Sequence, residues 1–199
     1  MRTFLLMAAV AVLPCSLMAQ PRTTSLQPGE TIPDSMLGTD AGDVIALRKL
    51  VSEKPAVLIF YRGGWCPYCT RHLKDLAGIE KDLLAAGYQL LAISPDQPSK
   101  LREKPDIEKL NYTLVSDSSM DAAKSFGVAF EVPADLVSKY KGQYGIDLEA
   151  ASGQTHHMLP HPAVFIVDAK GVVRFAYANE DYKVRLEPEK ILEAARATR

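Results

Sequence analysis

Apolar positions along this chain follow two patterns. The run Ala56-Val57-Leu58-Ile59-Phe60-Tyr61 is unbroken and rich in β-branched and aromatic residues, which predicts a strand buried on both faces. Similar runs at Tyr88 to Ser94, Tyr112 to Ser116 and Pro162 to Asp168 predict further strands, with a shorter one at Asp43 to Leu47. Ala169-Lys170-Gly171 then turns the chain into Val172 to Tyr177, a hairpin. Between the runs the period changes. Leu73, Leu76, Ala77, Glu80, Leu83 and Leu84 recur every three or four residues up to Gly87, which predicts one long helix. Shorter helices are expected at Arg48 to Glu53, after Pro98, at Asp121 to Phe126 and at Pro188 to Ala197, where Ile191, Leu192 and Ala195 share a side. Ala129 to Leu159 breaks the rhythm, and a short helix near Asp135 to Tyr140 flanked by loops is expected there. Strands and helices in alternation predict an α/β class, a central parallel or mixed β-sheet with helices on both faces.

The first residues stand outside this scheme. Arg2, the apolar run Phe4 to Leu13 and the stretch Ser16-Leu17-Met18-Ala19 have the three-part pattern of a secretory signal peptide, with cleavage expected after Ala19. The apolar run is too short to span a bilayer. Cys15 raises a lipoprotein alternative, which Pro14 directly before it disfavours. The domain organisation that follows is residues 1–19 as a leader and residues 20–199 as one domain, exported to a periplasm or secreted, with no stable membrane insertion after cleavage. From Gln20 to Gly29 the composition suggests a loose lead.

Charge then narrows the function classes. The net charge of −1 and the lack of a polybasic tract give no footprint for nucleic acid or an anionic lipid surface. Of the three cysteines, Cys15 leaves with the leader, so the domain keeps only Cys66 and Cys69. An exported protein stapled by disulfides would carry more cysteines, more widely spaced. This pair stands where the strand from Ala56 ends and a helical pattern begins, with Gly63-Gly64 making the turn and Pro67 suited to the first helical position. Unpaired amides and the helix dipole favour a thiolate there, and two residues between the sulfurs allow a disulfide to close and reopen. Cys66 and Cys69 are therefore the candidate catalytic residues and the redox-active disulfide. Arg62 has two readings, a charge that lowers a thiol pKa or polarises a peroxide, and a solvated arginine before a turn. Trp65 has two as well, a shield for the disulfide and a plain packing residue.

The ordered set resembles a known family. A strand ending Phe60-Tyr61, the turn Trp65-Cys66-Pro67-Tyr68-Cys69, Ile93-Ser94-Pro95-Asp96, Leu114-Val115-Ser116-Asp117 and a strand opening at Pro162 together resemble the thioredoxin-like fold. Gly29-Glu30-Thr31-Ile32-Pro33-Asp34, Val164-Phe165-Ile166-Val167-Asp168-Ala169-Lys170-Gly171 and the closing Asp181 to Pro188 resemble, within that fold, the peroxiredoxin-like proteins of the alkyl hydroperoxide reductase and thiol-specific antioxidant family. The resemblance implies an antioxidant oxidoreductase that reduces peroxides through its cysteines, needs no cofactor, and is restored by a thiol electron donor, here a periplasmic one. The site departs from the family. Aligned without gaps, Arg62 falls at the family's proline, Cys66 at its threonine and Cys69 at its peroxidatic cysteine. Pro162 stands where peroxiredoxins place an arginine and thioredoxins a cis-proline facing the disulfide, and Ile59 replaces the acid that thioredoxins bury beneath it. Likeness to thioredoxin-like turns makes Cys66 the attacking thiol and Cys69 the resolving one, and the gap-free alignment exchanges them. Both assignments stay open at this level.

Two alternatives follow. Pro162 and the glutaredoxin-like dipeptide Pro67-Tyr68 suit a protein disulfide oxidoreductase. Cys66, Cys69 and His72, with His156, His157, Met158 and His161 ahead of Pro162, suit a Cu(I) or Zn(II) chaperone, although His72 is expected at the surface.

Overall fold

The computed structural model describes residues 22–103, 107 and 109–198. The leader with its cleavage site lies outside them. In chain order the strands are β1 (Met36–Thr39), β2 (Val44–Ala46), β3 (Ala56–Phe60), β4 (Gln89–Ser94), β5 (Thr113–Ser116), β6 (Ala129–Glu131), β7 (Met158–Pro160), β8 (Ala163–Val167) and β9 (Val173–Ala178). The helices are α1 (Leu47–Glu53), α2 (Pro67–Ala77), α3 (Glu80–Ala85), α4 (Asp121–Ser125), α5 (Ala134–Tyr144), α6 (Leu148–Ser152) and α7 (Pro188–Ala197), with a 3-10 turn at Pro98–Lys100.

Seven strands form one mixed sheet in the order β2-β1-β5-β4-β3-β8-β9. The all-apolar β3 lies inside it, parallel to β4 and antiparallel to β8, with Phe60 opposite Ile93 and Ala163. Successive side chains of a strand point to opposite faces, so an unbroken apolar run requires cover on both. Val57 and Ile59 join a core with Leu73 and Leu76 of α2, Leu83 of α3, and Ile191 and Ala195 of α7. Leu58 and Phe60 join the opposite core with Leu47 and Val51 of α1 and with Phe126 after α4. Phe60, Phe126 and Phe165 interlock there at ring separations of 5.0 to 5.9 Å. The α/β sheet with helices on both faces is thus the observed architecture, and Cys66 and Cys69 belong to the Val57 face.

Several elements differ from expectation. The long helix is two, because α2 ends at Gly78, whose amide turns back to the Asp75 and Leu76 carbonyls before α3 begins. The apolar stripe crosses the break because both helices pack on the same core. β1 was not anticipated: its four residues contain Gly38, kept small because a Cβ there would stand 2.9 Å from Pro98 Cγ. Residues 129–159 hold more than one short helix. β6 and β7 pair antiparallel, and α5 and α6 fold between them around a small core of Val132, Tyr140, Leu148 and Leu159. Trp65 packs on this core and on the main one, so the insertion lies against the cysteine turn.

Candidate active site

The turn after β3 is shaped by a buried carboxylate. Gly63 has a φ of +134°, open to glycine but strained for other residues. The Gly64 amide donates to Asp96 Oδ2 at 2.7 Å, and the Cys66 amide donates to the Gly63 carbonyl at 3.1 Å. Asp96 follows β4, so the parallel neighbour of β3 anchors the loop that β3 releases. Cys66 is then the residue before α2, with Pro67 at the first helical position, and its carbonyl accepts from the Cys69 and Thr70 amides. The structure therefore places the pair as the sequence predicts, across the first turn of a helix.

Both thiols are free and both are buried. Their environments differ. The Cys69 thiol donates a hydrogen bond to Cys66, and with the Cys69 amide and the positive charges of Arg62 and Arg185 this outweighs burial and lowers Cys66 to about 6. Burial, joined by the charge of Cys66, pushes Cys69 the other way, well above an ordinary thiol. Asp96 is raised to about 7, chiefly by burial, against the hydrogen bonds from Gly64 and Ser94.

Arg62 is not a solvated residue. It is 3% exposed, and its guanidinium lies 5.3 Å from the Trp65 ring centre, 5.5 Å from Tyr140 and 4.4 Å from Tyr182. Nη2 donates to the Tyr140 hydroxyl, while Nε is buried without a hydrogen-bond partner. Trp65 is half-buried, 6.1 Å from Tyr140. With Asp96, Gly64, Lys100 and the α5–α6 loop it lines a cleft of about 190 Å³. Pro162 is buried and its carbonyl accepts from the Asn179 amide. No peptide bond among the described residues is cis, so Pro162 matches the thioredoxin position in residue type alone.

Three contributors escaped the sequence reading. Tyr140, Tyr182 and Arg185 reach the turn from distant segments, as far as the 116 residues that separate Cys69 from Arg185. For Tyr182 and Arg185 the signal was the family-like closing stretch Asp181 to Pro188, which carried no stated role; Tyr140 had none beyond its place in the helix expected near Asp135 to Tyr140. His72 is corrected from a surface residue: on the inner side of α2 its Nε2 donates to the Leu186 carbonyl at 3.1 Å, and burial lowers its pKa to about 4. The other histidines are engaged separately. His156 bridges the Ser118 carbonyl and the Met158 amide, His157 meets Glu149, and His161 stacks on Phe130. No group of three or more His, Cys, Asp or Glu among the described residues is placed to hold a metal ion, and the chaperone alternative is without a ligand set.

Comparison with known proteins agrees with the frame. Residues 28–176 match the model of the AhpC/TSA family. Peroxiredoxin Bcp of Escherichia coli is 27% identical over 158 residues, 79% of this chain and 88% of that one. The chloroplastic peroxiredoxin Q of Populus jackii is 28% identical over 162 residues, 81% of this chain and 62% of that one. In fold, peroxidoxin BcpB of Mycobacterium tuberculosis superposes with a TM-score of 0.67 at 22% identity, over 88% of this chain and 99% of that one. Reduced Prx3 of Vibrio vulnificus, solved in complex with hydrogen peroxide, does so with a TM-score of 0.68 at 17% identity, over 85% and 99%.

Proposed function

The chain belongs to the AhpC/TSA family and is a peroxiredoxin-like, thiol-based oxidoreductase, and from that premise we propose that it reduces peroxides through Cys66 and Cys69, with Cys66 attacking and Cys69 resolving. The observation that carries this reading is the divergence of two thiols in one turn, Cys66 lowered to about 6 and Cys69 raised. The two divide because they share one hydrogen bond, Cys69 donating and Cys66 accepting, in a turn where Cys69 is the more deeply buried and Arg62 and Arg185 add positive charge, so that one is a ready nucleophile and the other a held proton.

The chemistry balances as follows. Cys66 Sγ, as thiolate, attacks one peroxide oxygen; the O–O bond breaks, the other oxygen leaves and is protonated to water or an alcohol, and Cys66 becomes a sulfenic acid. Cys69 Sγ then attacks Cys66 Sγ. The S–S bond forms as the S–O bond breaks, and the departing hydroxide leaves as water with the proton of Cys69. A dithiol donor reduces the disulfide and restores both thiols. Arg62, fixed among three rings, contributes positive charge beside Cys66. Trp65 flanks the cleft that leads to the turn.

The proposal includes export: residues 1–19 direct the chain out of the cytoplasm, residues 20–199 form the mature domain, and the donor is a periplasmic thiol. Stopped-flow consumption of hydrogen peroxide by the reduced protein, beside reduction of an insulin disulfide, tests the chemistry. Fast peroxide loss with slow insulin reduction is the expected result, and the reverse order would assign the pair to protein disulfide exchange.

A further inference from the structure

A resolving thiol buried as Cys69 is, and pushed well above its ordinary pKa, needs a positive charge close by to react at neutral pH. The structure supplies one from the far end of the chain. After β9 the backbone returns across α2 as a strap, residues 179–187, before α7 begins. Two anchors seat it. The Tyr182 ring lies over the Arg62 guanidinium and meets Tyr68 edge-on at 5.6 Å. Four residues on, the Leu186 carbonyl takes the Nε2 proton of buried His72, and the Leu186 side chain packs on the core that holds the thiols. Between these anchors Arg185 Nη2 donates to Cys69 Sγ at 3.4 Å.

The other groups facing Cys69 do not do this work. Arg62 gives Cys69 a hydrogen bond from its amide, while its guanidinium is engaged with Tyr140 and the rings. Tyr61 is raised far above its ordinary range by burial and stays neutral. His72, lowered to about 4, is neutral at physiological pH and adds no competing charge beside Arg185. Cys66 is anionic only until it is oxidised.

Resting on the peroxide reading above, we propose that Arg185 is a catalytic residue of the resolving step, its guanidinium holding Cys69 Sγ as a thiolate while that sulfur attacks the Cys66 sulfenic acid. The proton of Cys69 leaves with the hydroxide as water, and Arg185 is unchanged. Once the disulfide forms, Cys69 carries no charge and the contact loses its electrostatic part.

The test uses the full chain with Arg185→Met and Arg185→Lys. Reduced protein is mixed with hydrogen peroxide, Cys66 sulfenic acid is trapped with dimedone at timed intervals, and disulfide is measured by mass. Losing a charge-assisted hydrogen bond predicts disulfide formation slower by about ten- to a hundredfold in Arg185→Met, with sulfenic acid accumulating because its formation slows less, Arg185 being the last of the causes that lower Cys66. Arg185→Lys restores most of the rate. Resolution equally fast in Arg185→Met, or slowed alike in both variants together with a lower thermal midpoint, overturns the proposal. A second measurement separates it from the peroxide reading. In Cys66→Ser, titration of the Cys69 thiolate by its ultraviolet absorbance must move to higher pH when Arg185→Met is added; an unmoved titration overturns the role of Arg185 whatever the oxidant. If the native protein forms no sulfenic acid but the titration does move, the peroxide reading fails and the charge on Cys69 stands.

Discussion

A Cβ built on Gly63 would stand 2.4 Å from Trp65 Nε1 and 2.7 Å from Asp96 Oδ1, at a φ that L residues rarely adopt. Gly63→Ala should therefore destabilise the protein by about 1–3 kcal/mol, read from urea denaturation, because the strained turn must shift both neighbours. An unchanged midpoint would contradict the geometry. Buried carboxyls, Asp96 at the turn and Asp117 at the start of α4, and the Cys66 thiol give stability a pH dependence of opposed signs. Asp96 and Asp117, each raised to about 7, contribute stability that is complete below about 3.9 and lost as pH rises through 7. Cys66, lowered from 9.0 to about 6, contributes stability that is complete above 9.0 and lost as pH falls through 6. Thermal midpoints of the reduced protein should thus fall less between pH 4 and 8 in Asp96→Asn than in the native chain, and rise less between pH 6 and 9 in Cys66→Ser; parallel curves would refute the assignments. The two thiols, Arg62 and Trp65 were legible at this scale because the motif is local. Asp96 appeared only as part of a family-like stretch, since nothing local says that its carboxylate would close on Gly64, 32 residues away.

Element by element, legibility follows how much of the core each piece buries. β3 and β8 read as strands because their runs are apolar throughout and β4 because of its apolar centre Leu90 to Ile93, and α7 was anticipated to the residue because Pro188 marks its start and Ile191 and Ala195 its buried side. In the insertion between β6 and β7 the helix near Asp135 to Tyr140 was anticipated and is α5, but α6 and the β6–β7 pairing were not, because α5 has one buried residue, Tyr140, whose partners come from α6 and Trp65. That helix matters for the site. Arg62, already with a buried Nε lacking a partner, relies on the Tyr140 hydroxyl to accept from Nη2. Tyr140→Phe should cost about 1–3 kcal/mol of stability through the unsatisfied donor. Because the three rings still hold the guanidinium, the Cys66 pKa should move little. Full stability in the variant would show that Arg62 finds another acceptor.

For the molecule as a whole, the alternation of strands and helices was sufficient to predict the sheet and its two covers. Closure of the site was beyond it, because a strap of nine residues from 179 to 187 earns its place through three contacts rather than through any periodic pattern. The export reading makes its own prediction: protein recovered from a secreting bacterial host should begin at Gln20, and an intact Met1 terminus on the folded product would refute it. Reaction of the lowered Cys66 thiol with peroxide has a built-in reporter, because Trp65 is the single tryptophan of the chain and stands next to it. Stopped-flow Trp65 fluorescence after mixing reduced protein with hydrogen peroxide, repeated across pH, measures it directly. The rate should rise with pH to half its maximum near 6 and disappear in Cys66→Ser, and the reaction should end in a Cys66–Cys69 disulfide. A rate indifferent to pH, or one that survives in Cys66→Ser, would contradict this.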